Sequence, residues 1–75
     1  MHARFRCFDP FDTPGRVLDA ARQMRLALEA MRVDRTPDGA YALHLALAAA
    51  DPLRCRAFLD RVGRLIDLTL EDTGA

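Results

Sequence analysis

Lysine is absent from this chain: all eleven basic side chains are arginines, and eleven acidic side chains balance them to a net charge of zero. A surface without a basic surplus argues against nucleic acid or an anionic membrane as the main partner, because both recruit proteins through excess positive charge. Cysteine is nearly as scarce. Cys7 and Cys55 are the only two, and neither stands in a C-x-x-C pair, so the spacing of a structural zinc site is missing. Two cysteines allow one disulfide, yet both fall in apolar patterns and read better as small buried hydrophobes. No apolar run approaches the ~20 residues that a bilayer-spanning helix needs. With no signal segment before the first strand, a cytoplasmic location is the default expectation.

What is present fits one small domain over residues 1–75. A core of this size rarely supplies more than ~3–5 kcal/mol by itself. With zinc and a disulfide set aside, a second chain remains as support, and a homodimer is expected, joined by sheet edges or faces.

The stretch Asp12-Thr13-Pro14-Gly15-Arg16-Val17-Leu18 organises the rest. Asp12 or Thr13 can accept N–H groups of a first helical turn, and Pro14 suits the first helical position because its missing N–H would be unpaired anyway. Gly15 leaves the backbone open to close approach. A helix N-terminus of this kind offers N–H donors and a positive dipole end to a carboxylate or phosphate.

In chain order, strand one covers about His2 to Phe8, with Ala3, Phe5 and Cys7 on one face and Arg4 and Arg6 on the other. Helix one covers roughly Pro14 to Arg25, burying Val17, Leu18, Ala21 and Met24. Strand two covers about Ala27 to Arg35. Its apolar phase slips between Leu28 and Met31, which a β-bulge near Glu29-Ala30 would correct. Thr36-Pro37-Asp38-Gly39 reads as a hairpin turn. Strand three, about Ala40 to Ala49, alternates Tyr41, Leu43, Leu45 and Leu47 with Ala42, His44, Ala46 and Ala48. Asp51-Pro52 starts helix two, whose stripe is Cys55, Phe58, Leu59 and Val62, and Gly63 ends it. Strand four covers about Leu65 to Glu71, with Ile66, Leu68 and Leu70 inward and Asp67, Thr69 and Glu71 outward. Thr73-Gly74-Ala75 is a frayed tail.

The order β-α-β-β-α-β, with right-handed crossovers, predicts an α+β ferredoxin-like sandwich: a four-stranded antiparallel sheet in order 4-1-3-2, with two helices on one face. Arg4 and Arg6 should then lie beside Asp67 and Glu71 on the helix-free face. An RNA-binding version of this fold needs aromatic rings on that face, and the central strand offers Ala42, His44 and Ala46 instead. A soft-metal carrier would want two thiols in the first loop. His44 has no acid or nucleophile at a motif spacing and reads as a partly buried sheet residue. Asp19, Asp60, Asp67, Glu71 and Asp72 read as solvated faces and strand ends, so no catalytic constellation is expected. A small ferredoxin-like enzyme with a site of another kind is the reading from a different class.

The strand, the Asp-x-Pro-Gly turn and the helix carrying Val17-Leu18 resemble the ACT domain, a family of small-ligand-sensing regulatory modules attached to amino-acid-metabolism enzymes. The β-α-β-β-α-β order extends the resemblance over the whole chain. It is closer still to the short, isozyme II type regulatory small subunit of acetolactate synthase (acetohydroxyacid synthase). That likeness runs through Ala3-Arg4-Phe5, Arg16-Val17-Leu18, the Met31 region, the Asp51-Pro52 end of strand three, Phe58-Leu59 and Arg64-Leu65-Ile66-Asp67.

The resemblance implies a non-catalytic subunit that binds and activates the catalytic large subunit. Thiamine diphosphate, magnesium and FAD would belong to that partner, and this chain would hold no cofactor or metal. The alternative it implies is a stand-alone sensor binding a small amino acid at a dimer interface. The effector site it implies comprises Asp12, Thr13, Pro14, Gly15, Arg16 and Val17, walled by Arg25 and Leu26. Main-chain N–H groups of Gly15 to Val17 would hold the carboxylate, with Asp12 available for the ammonium. Sensing members carry glycine where Arg25 stands, so a long side chain would crowd the pocket and valine or a similar amino acid would bind weakly.

Overall fold

The computed structural model describes residues 1–48, 51–65 and 67–74. Ala49, Ile66 and Ala75, which the sequence reading assigned to strand three, strand four and the tail, lie outside the described residues. Six elements follow in order: β1 (His2–Cys7), α1 (Asp12–Gln23), β2 (Leu28–Arg35), β3 (Tyr41–Leu47), α2 (Pro52–Val62) and β4 (Thr69–Gly74). The sheet is antiparallel in order β2-β3-β1-β4, the expected ferredoxin-like arrangement.

The core forms where the strand and helix patterns meet. Phe5 and Cys7 of β1 and Leu43, Leu45 and Leu47 of β3 are fully buried, against Val17 of α1 and Cys55, Phe58 and Val62 of α2. Full burial of a side chain such as Phe or Leu contributes about 1.5–3 kcal/mol. Both cysteines are free thiols in this core. The anticipated bulge is present, with the β2–β3 register shifting between Leu28 and Ala30. It brings Leu28, Met31 and Val33 together against the core. Gly39 takes φ 85° in the hairpin turn, where a residue without Cβ is favoured.

Helix α1 and strand β4 differ from the sequence reading at both ends. Helix α1 begins at Asp12, two residues early, with Phe11 at its N-cap and no side-chain cap from that residue. Its first donors are met from upstream, since Asp9 Oδ1 accepts from the N–H groups of Phe11 at 2.9 Å and Asp12 at 2.8 Å. Pro14 is therefore the third helical residue, still within the turn whose N–H groups have no helical acceptor.

Helix α1 also ends two residues early. Leu26 N–H reaches Ala21 O at 2.9 Å and Arg25 N–H reaches Arg22 O at 3.1 Å, the paired bonds of a Schellman motif, and Arg25 takes the left-handed position at φ 53°.

Strand β4 starts at Thr69 rather than Leu65 and runs on through Thr73 and Gly74, so those two residues are paired, not frayed. A register shift opposite Arg4 and Phe5 places Arg4 Nε 3.4 Å from Glu71, as expected. Arg6 pairs instead with Asp38 of the hairpin turn. Leu68 is buried as expected, whereas Leu70 on the edge strand is 44% exposed.

Candidate functional site at the β1–α1 turn

The turn between β1 and α1 is held by two carboxylates of the chain itself. Asp67, which the sequence reading put on the outward face of strand four, lies before β4 and reaches back to this turn. Its carboxylate accepts from Phe8 N–H and Asp9 N–H, each at 2.9 Å by Oδ2, and from the Thr13 hydroxyl at 2.8 Å. Thr13 is 3% exposed, so its hydroxyl needs this partner. The Asp9 N–H above all, and then the Phe8 N–H and the Thr13 hydroxyl, hold Asp67 below the usual carboxylate range. Asp9 is lowered in the same way by the Asp12 and Phe11 N–H groups.

These contacts change what the turn can bind. Gly15 N–H, expected to meet an incoming carboxylate, instead makes the first helical bond, to Phe11 O at 3.3 Å. Asp12, the expected ammonium partner, pairs with Arg16 Nε at 2.9 Å. Thr13, Pro14 and Val17 are buried. The open cleft beside the turn, about 560 Å³, is walled by Asp9, Asp12, Arg16 and Asp67. A free anion approaching it meets three carboxylates, one of them neutralised locally by Arg16.

Arg25 and Leu26 do not wall this cleft. They lie at the other end of α1, a helix ~18 Å long at 1.5 Å per residue. Leu26 packs against the core. The carbonyls of Met24 and Arg25 accept from the Arg54 guanidinium, the latter at 2.9 Å, so a cation already occupies the negative end of the helix. Within one chain the eight expected residues therefore form two separate groups.

The sequence reading missed Asp9, Asp67 and Arg54. A carboxylate just upstream of a helix is a local capping signal, so Asp9 was findable. Asp67 and Arg54 act across 54 and 29 residues respectively, and no local pattern marks them.

The turn also exposes apolar surface. Phe11 is 87% and Phe8 63% exposed, whereas Phe5 and Phe58 are fully buried. A Cβ added to Gly15 would meet nothing within 4 Å. Among the described residues no group of three or more His, Cys, Asp or Glu side chains is placed to hold a metal ion. No helix there is long and apolar enough to cross a membrane.

No protein-family model matches the sequence, and no curated protein does. Among solved structures, the ACT domain from the GTP pyrophosphokinase of Chlorobium tepidum superposes with a TM-score of 0.68 at 12% identity, covering 95% of each chain. The fold is that of an ACT-type domain over 95% of the chain.

Proposed function

We propose that this chain is a regulatory ACT-type subunit that acts by docking, and that its partner is the catalytic large subunit of acetolactate synthase, which it activates. The observation that carries the reading is the β1–α1 turn. Its donors are taken up by Asp9 and Asp67, while Phe11 stays exposed and Gly15 stays open. A turn made rigid by internal hydrogen bonds and presenting an aromatic side chain suits a preorganised contact with another protein. The ACT-type fold and the sequence resemblance support the class of partner. Thiamine diphosphate, with magnesium and FAD, belongs to that partner and supplies chemistry this chain does not.

The subunit raises activity by binding the active conformation of the catalytic chain better than the inactive one, and that difference caps its effect. A second copy of the chain completes the regulatory unit through the small core's need for support. Valine has little influence: Arg54 occupies the carbonyls at one end of α1 and Asp9 takes the N–H groups of Phe11 and Asp12 at the other, which also disfavours a stand-alone amino-acid sensor. Co-expression of the two chains tests the docking. A stoichiometric complex that Phe11→Ala weakens is expected, and failure of the wild-type chain to co-purify would remove the assignment.

A further inference from the structure

The helix-free face carries a second feature, independent of the turn and of any catalytic partner. Arg32 on β2, His44 on β3 and Arg4 on β1 are direct register partners and form one row across three strands. The next row is Ala30, Ala46 and His2. Above them lies a cavity of about 380 Å³, with the alanines as floor and Asp72 at the β4 side.

Each of the two arginines has a local acid. Asp34 meets Arg32 through Nε at 2.7 Å and lies 3.5 Å from His44 Nε2, and Glu71 meets Arg4 through Nε at 3.4 Å. Both pairs are made through Nε, and Asp72 is the register partner of Arg4 on β4.

We infer that this face binds a small phosphate-type dianion between Arg32 and Arg4, over His44. Strands lie ~4.8 Å apart, so the two arginine backbones are ~10 Å apart and their long arms can close on one group from both sides. A guanidinium fork matches phosphate oxygens in geometry as well as charge, and the imidazole N–H adds a third donor. The alanine floor gives room for the organic part of a phosphate ester. Asp72, the register partner of Arg4, bounds the cavity on the β4 side and keeps the anion between the two arginines. Among the described residues no Phe or Tyr lines the cavity as a platform for stacking bases, so the ligand is a small ester rather than a nucleic acid.

The test is an NMR titration of the full chain with inorganic pyrophosphate, in parallel with co-sedimentation on phosphatidylcholine vesicles containing phosphatidylglycerol. Saturable shifts at Ala30, Arg32, His44 and Ala46 are expected, with Arg32→Gln and Arg4→Gln each weakening binding about tenfold. Arg22→Gln, on exposed α1 surface, should leave affinity unchanged, and the vesicles should not carry the protein down. Shifts that do not saturate, that centre on another surface or that persist at full affinity in both variants would overturn the site. Sedimentation with vesicles without any response to pyrophosphate would do the same.

Discussion

The guanidinium of Arg54, in the first turn of α2, donates to the main-chain carbonyl of Arg25, whose own φ of 53° lies in the left-handed region. One arginine thus caps the end of α1 at a position where another arginine bears backbone strain. A left-handed conformation costs a residue with a Cβ about 1–2 kcal/mol, and glycine avoids that cost while giving up some unfolded-state advantage. Arg25→Gly should therefore stabilise the chain by about 0.5–1 kcal/mol. Urea denaturation checks this; an unchanged or lowered midpoint would mean that the Arg25 side chain contributes more than its backbone costs.

Asp67 is the second long-range tie. Truncation to alanine leaves the buried Thr13 hydroxyl without its acceptor and frees two N–H groups to water. A loss of about 1–2 kcal/mol is expected, with faster amide exchange at Phe8 and Asp9. Thr13→Val removes only the buried half of the interaction and should cost less. Equal stability of Asp67→Ala and wild type would dissolve the account of the turn.

Acid should loosen the molecule in a defined window. Asp38 is drawn down to about 2 by the Thr36 hydroxyl, then by the Ala40 N–H and Arg6, and Asp9 and Asp67 are lowered by main-chain donors. A folded-state value below the unfolded one means the folded chain binds fewer protons. The resulting stability is present above the unfolded value near 3.9 and is lost as pH falls through the folded one. The urea midpoint should be flat at neutral pH and fall between about pH 4 and about pH 2, and Asp38→Asn should flatten part of that fall.

Gly15 separates stability from docking. It lies in α1 with open space around it, so Gly15→Ala should raise stability by about 0.5–1 kcal/mol through helix propensity alone. If another protein approaches the helix there, the added methyl group should nonetheless lower activation. A variant that is more stable and fully activating would place the contact elsewhere.

Strand β3, the α2 stripe and the β2 bulge were legible because a period of two or of 3.6 residues, or a slip in it, is written locally. The end of α1 was not. Its Schellman position holds Arg25 in place of the glycine that normally signals a stop. The start of β4 was misplaced because the alternation through Asp67, Thr69 and Glu71 suits an extended strand from Leu65 onward, whereas Asp67 is drawn to the β1–α1 turn by three donors. Local periodicity cannot encode a contact whose halves lie at opposite ends of the chain. The sequence reading likewise placed Asp12 to Val17 and Arg25 around one pocket, and within one chain α1 holds them at its two ends.

The most direct measurement adds the purified chain to the acetolactate synthase large subunit, follows acetolactate formation, and then raises valine to millimolar levels. The account predicts activation by the chain, diminished by Phe11→Ala, with little change on adding valine. No activation in the absence of valine, or strong inhibition at micromolar valine, would contradict it.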